Sequence, residues 1–245
     1  MGNKLVLTNA RIFTGGADLT SSSNKISIAP EFAAEDVTTF GSGGWTENMA
    51  GLASSEIGAE GLWEAGDLSK VDDNRWSSLG GLSAWSITPA GASVGTLAYF
   101  TKALDGEYSL GGELGKVVPW SAKAMGSWPV VRGQIAHDPG TARTATGTGT
   151  GAQLGAVAAG KQLYAALHVL SIAGTATPSI TVAIESDTTN AFGAPTTRLT
   201  FAAATALGGQ ILRVPGPLTD TWWRPKWTIS GTTPSFLFVV AFGIA

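Results

Sequence analysis

Residues 54–64, Ser-Ser-Glu-Ile-Gly-Ala-Glu-Gly-Leu-Trp-Glu, alternate with a period of two. Ser55, Ile57, Ala59, Gly61 and Trp63 fall on one face of a strand, and Glu56, Gly58, Glu60, Leu62 and Glu64 on the other. A helix would set Ile57 opposite Ala59 and Trp63, so only a pleated strand sorts this run. Three carboxylates then share one face, which must be wet, because an unpaired buried carboxylate is costly.

Other runs share this character. Asn24–Ala29 alternates Ile26 and Ile28, and Pro30 ends it or puts it at a sheet edge. Leu82–Pro89, Val94–Leu104, Val117–Ala124 and Pro129–Ala136 read as strands, with a Gly-rich loop at 105–115. Lys70–Leu79 is predicted as the single short helix, with Val71, Trp76 and Leu79 near helical spacing and Gly80-Gly81 as a stop. Asp72 and Asp73 suit its start. Beyond residue 153 come Gln162–Ile172, Ser179–Ser186, Arg198–Ala204, Gln210–Val214, Thr221–Ser230 and Ser235–Ile244, spaced as in a β-sandwich. The fold class is therefore all-β with one short helix.

Thr141–Gly151, with its Thr-Gly-Thr-Gly-Thr-Gly end, cannot pack a core and reads as a linker. Charge changes there too. Residues 1–138 carry 9 Lys and Arg against 15 Asp and Glu, a net −6; residues 139–245 carry 6 against 3, a net +3. The expected organisation is an N-terminal domain over 1–138, a linker over 139–152 and a C-terminal β-sandwich over 153–245.

Charged residues make up 13% of the chain, about half the usual share in a soluble domain, and there are nine Trp. That balance suits a protein whose surface is covered by copies of itself. An acidic N-terminal half opposes tight binding to a phosphate backbone. With no cysteine there is no disulfide, thiolate metal site or thiol nucleophile. No run approaches the ~18 apolar residues of a membrane helix. Met1–Leu7 lacks the apolar core of a signal peptide, so assembly in a cytoplasm is expected.

Signals for chemistry are weak. His137 and His168 have no metal-ligand partner at a usual spacing, and no cofactor is expected. Glu56, Glu60 and Glu64 lie four residues apart, about 13 Å along a strand, too far for a glycosidase pair. They are a solvated sheet face or the acidic lining of a pore that carries DNA. Gly147–Gly151 lacks the Lys-Ser/Thr ending of a phosphate loop. No convergent nucleophile, base and orienting group can be assembled, so a hydrolase is the weakest reading and no enzyme is expected.

Two aromatic stretches stand out. Asp36–Leu52 carries four glycines with Phe40, Trp45 and Met49 and little to bury them against. It reads as a long loop that either displays a contact surface for another chain or folds back on itself. Trp222–Trp227 puts Trp223 and Trp227 on one side and Trp222, Arg224 and Lys226 on the other, where Arg could stack on indole. These Trp are sandwich core or a surface platform for sugars.

Three places resemble siphophage major tail proteins, the subunits of the tail tube: Asp18–Ile28; Asp36–Leu52 followed by Gly61–Asp67; and Pro129–Gly133. Together they span most of residues 18–133. Residues 179–245 are similar to a β-sandwich appended to actinobacteriophage-type tail proteins. The resemblance implies an N-terminal tail-tube-type sandwich whose subunits close into rings, six to a ring. The rings stack through the long loop and the N-terminal arm, with Thr38, Thr39, Phe40, Trp45, Glu47 and Met49 as the stacking residues. Glu56, Glu60 and Glu64 would line the lumen, and the C-terminal sandwich would decorate the exterior. Implied partners are further copies of the chain, a tape-measure protein, tail-end proteins and passing genomic DNA, in a virion tail and not a membrane. The rival reading is a carbohydrate-binding or receptor-binding tail component that uses Trp222, Trp223 and Trp227.

Overall fold

A computed structural model describes residues 6–245; the sequence segment expected as an N-terminal arm or first strand, 3–13, lies outside the described residues over 3–5. The elements are β1 (Arg11–Thr14), β2 (Ala17–Asp18), β3 (Ser23–Asp36), β4 (Asn48–Leu62), α1 (Val71–Ser78), β5 (Leu82–Thr88), β6 (Leu97–Leu110), β7 (Pro119–Gly126), β8 (Val131–His137), β9 (Gly147–Thr148), β10 (Ala152–Gln153), β11 (Gln162–Asp187), β12 (Thr196–Thr200), β13 (Gly208–Pro215) and β14 (Trp222–Ile244). The protein is all-β with one helix, and every pairing between named strands is antiparallel.

Strand β6 divides the N-terminal half. Leu97–Phe100 pairs with β8, Tyr99–Leu104 with β5, and Ala103–Leu110 with β7. A bulge between Asp105 and Glu107 bends the strand as it passes from one set of neighbours to the other. The sheets β2-β1-β5-β6 and β6-β7-β4-β3 diverge from there. Ile12, Ile57, Ala59, Trp85, Ile87 and Trp120 fill the space between them. The alternation of residues 55–61 is the one the sheet shows: Ile57 and Ala59 are buried, and Glu56 and Glu60 reach solvent on the other face.

Helix α1 closes the end of this core, but with a different face from the one its sequence spacing predicts. Val71, Asn74 and Arg75 are buried, whereas Trp76 and Leu79 are exposed. The reason is a buried ion pair. Arg75 Nη1 donates to Asp105 Oδ1 at 2.9 Å, its guanidinium lies 4.8 Å from the centre of the Trp85 ring, and Trp85 Nε1 donates to the same carboxylate oxygen at 2.8 Å. Orienting Arg75 inward turns Trp76 out.

The C-terminal half is a two-stranded ribbon folded over itself. β11 and β14 pair from Leu163↔Ile244 to Asp187↔Trp222, with register shifts around residues 169–179. Gly174 and Gly231, at φ 128° and 112°, allow the bend. The two legs become the two sheets of a sandwich, edged by β13 on one leg and β12 on the other. Leu163, Leu167, Val182, Ile184, Phe236 and Phe238 meet in the middle. The outer face of the first leg, through Tyr164, Ala166, Val239 and Ala241, packs on Phe13, Ala84, Phe100 and Val131 of the N-terminal half. These strands are covered on both faces, which is why their sequences run almost continuously apolar. The sheet itself also continues between the halves, because β14 pairs with β8.

The segment expected to be a linker lies along β14. β9 pairs with Trp227 and Lys226, and β10 with Trp223 and Trp222. Its glycines fit a steric need: a Cβ on Gly147 would come within 3.1 Å of the Trp227 ring, and one on Gly149 within 2.6 Å of Pro225. Alternate glycines thus let a strand edge lie flat on large side chains.

Candidate assembly surfaces

β3 and β4 extend further than the sequence suggests, pairing as far as Asp36↔Asn48. The expected loop 36–52 therefore shrinks to residues 37–47 at the tip of a hairpin. Support from β7 stops at Glu56↔Met125. Beyond it, from Phe32↔Ala53 outward, a two-stranded arm projects alone. Such ribbons are marginal in water without a partner.

The predicted stacking residues divide into two kinds. Thr38, Thr39 and Glu47 fasten the tip: Glu47 N–H donates to Thr38 Oγ1 at 3.0 Å, Gly41 N–H to Thr39 Oγ1 at 3.3 Å, and Thr39 N–H to Ser42 Oγ at 3.1 Å. Phe40, Trp45 and Met49 are the displayed ones, with Trp45 81% and Met49 60% exposed and Phe40 fully so. The loop does not fold back over them. Phe32 and Leu52, 68% and 87% exposed on the same arm, are not singled out by the sequence reading, which sets Phe32 outside the expected loop and takes Phe40, Trp45 and Met49 as its apolar residues.

The candidate lumen residues do not form one acidic row. Glu60 accepts from Lys25 Nζ at 2.7 Å, and Glu56 lies 3.6 Å from Lys123 Nζ, both across the solvent face of β3-β4-β7. Glu64 lies beyond the end of β4 and pairs with Lys70 at 3.1 Å beside α1. The expectation of three carboxylates on one strand face is corrected to two, each with a lysine from a neighbouring strand. Single-strand alternation cannot see cross-strand partners.

The Trp platform is also corrected. Trp223 and Trp227 are buried in the C-terminal core, where Trp223 Nε1 donates to Gly155 O at 2.9 Å and Trp227 Nε1 to Ala145 O at 3.0 Å. Only Trp222 is part-exposed. Arg224 stacks on Phe192 at 4.1 Å, not on indole, and shares the buried Glu185 with Lys226. Burial alone would raise the Glu185 pKa; hydrogen bonds from Lys226 and Arg224 outweigh it and hold the carboxyl low.

Both histidines are internal. Ser86 Oγ lies 2.8 Å from His168 Nε2, and His168 Nδ1 lies 2.9 Å from Gly15 O. This Ser–His pair is shut off from solvent, and a carbonyl stands where a catalytic carboxylate would orient the ring. His137 stacks on Phe238 at 4.0 Å, accepts from Arg143 Nε at 2.9 Å, and faces Phe238 O at 3.1 Å. Burial pushes both pKa values down to about 4. No group of three or more His, Asp or Glu that could hold a metal ion occurs among the described residues.

No family model and no curated protein matches the chain. Solved structures do. A chain in the virion of a native gene transfer agent particle is 13% identical, covering 53% of this chain and 98% of its own, with a TM-score of 0.42. A chain in the tail of an empty gene transfer agent particle with C6 symmetry is 15% identical, over 45% and 81%, at 0.38. The Dit protein of phage SPP1, described as a hub of the adsorption apparatus in phages infecting Gram-positive hosts, is 10% identical, over 96% and 99%, at 0.33.

Proposed function

We propose that this chain is a structural subunit of a bacteriophage tail tube, assembling with copies of itself as stacked rings around a DNA-conducting lumen. The observation that carries the reading is the free arm. It presents Phe32, Phe40, Trp45, Met49 and Leu52 to solvent on a ribbon that little else in the chain supports. An apolar display of this kind calls for a protein partner.

Two further features support self-association. Among the described residues, the outer edge of β3 has no strand partner over Ser23–Asp36, and neither does β4 over Asn48–Ser55 on its far side. Closed assembly removes such edges. The solvent face of β3-β4-β7 then suits a lumen differently from the acidic lining expected. Lys25–Glu60 and Lys123–Glu56 offset each other, and Ser27 and Ser121 share the face with exposed Leu62 and Met125, giving a surface with little net charge for a polyanion to grip. Rings of six, the tape-measure and tail-end partners and the virion tail location belong to this reading.

Sedimentation of the purified chain against a variant lacking residues 38–47 tests it. Large assemblies are expected for the full chain and monomers for the variant. Assemblies of equal size in both would remove the arm from the account.

A further inference from the structure

The arm is acidic as well as apolar. Residues 30–52 contain Glu31, Glu35, Asp36 and Glu47 and no Lys or Arg. None of the four forms an ion pair among the described residues. At the root of the arm lies a largely apolar groove of about 490 Å³, between Pro30 and Phe32 on one side and Trp128, Pro129 and Val130 on the other. Two cations rest on Trp128: Arg213, with its guanidinium carbon 4.5 Å from the ring centre, and Lys102, with Nζ at 5.2 Å. Neither has a carboxylate partner among the described residues. Trp128 is itself fixed from below, edge-on to Tyr164 at 6.0 Å.

We propose that the groove is the seat for the arm of a second copy of this chain. Phe40 and Trp45 of one copy lie against Trp128, Pro129 and Val130 of the next, and Glu35, Asp36 and Glu47 face Lys102 and Arg213. This rests on the self-assembly reading above and supplies the receiving surface it lacked. The arm cannot fill its own groove: its ladder runs outward from Phe32 to Asp36 at about 3.3 Å per residue, and folding the tip back would break those pairs. Apolar tip with apolar groove, and carboxylates with cations that form no ion pairs among the described residues, are matched in chemistry, and two surfaces of opposite character select each other over like pairs. The contact is head-to-tail. Each copy gives one arm and takes one, so growth closes as a ring or continues as a filament and does not stop at a dimer.

Charge reversal on the full chain tests the pairing. Glu35→Lys/Asp36→Lys/Glu47→Lys should reduce assembly at least tenfold, as should Lys102→Glu/Arg213→Glu, with rescue when both sets share one chain. A second measurement guards against variants that fail to fold. The natural chain has no cysteine, so mixing Thr46→Cys with Pro129→Cys under mild oxidation should give a disulfide between chains. If the wild type assembles but neither reversal reduces assembly, or mixed Thr46→Cys and Pro129→Cys chains assemble without a disulfide between them, the pairing is overturned and self-assembly stands. A wild-type chain that stays monomeric under all conditions overturns both.

Discussion

At the scale of the residue, the groups that matter most are polar and internal. His168 and His137 are held neutral, each between a hydrogen-bond partner at Nε2 and a backbone carbonyl facing Nδ1. Their folded pKa values, about 4, lie below the 6.5 of an unfolded histidine. The unfolded chain therefore takes up protons first. Their contribution is complete above pH 6.5 and is lost as pH falls towards 4, by about 3 kcal/mol for each histidine. Urea unfolding between pH 7.5 and 4 should show this decline, and His168→Gln should flatten part of it; a pH-independent midpoint would contradict the burial of both rings. Asp105→Ala strands the Arg75 guanidinium and should cost about 3–5 kcal/mol in the same assay. Glu60→Ala, which breaks a surface pair with Lys25, should cost under about 1 kcal/mol. None of these partners is visible in sequence. A cation in a helix reads as solvated, and an isolated histidine as incidental: Asp105 lies 30 positions from Arg75 and Gly15 lies 153 from His168, and even Arg143, six positions from His137, is brought to its ring only by the fold.

Elements were more legible. Alternation located the strand holding Ile57 and Ala59, and turn spacing located the six C-terminal strands. The sequence could not show that four of those strands are two bent ones, since Gly174 and Gly231 look like ordinary turn residues. Nor could it separate a Thr-Gly linker from a strand edge needing alternate glycines, although period-two spacing was the available clue. The seam between β8 and β14 makes a sharp test of such close approach. A Cβ on Gly133 would come within 2.1 Å of Phe242 O, whereas one on Gly112 meets nothing nearer than 3.6 Å. Gly133→Ala should lower stability by about 1–3 kcal/mol and speed amide exchange in β8 and the end of β14. Gly112→Ala should do neither. Equal effects would contradict the packing of the two halves.

For the whole molecule, the sequence marked the arm by Phe40, Trp45 and Met49 but read as loop what is mostly a paired ribbon, because β3 and β4 pair as far as Asp36↔Asn48. The halves share a continuous sheet and a common apolar layer, so they present one body from which the arm projects. That body has strand edges free of partners among the described residues, an unsupported apolar tip and a sheet face balanced in charge. Together these support the proposal of a subunit completed by its own copies. Negative-stain electron microscopy of the concentrated full chain, across a range of salt concentrations, tests this most directly. Hollow tubes or stacked rings of uniform width are expected, with stacking lost on removal of residues 38–47. Compact monomers under every condition would contradict the account.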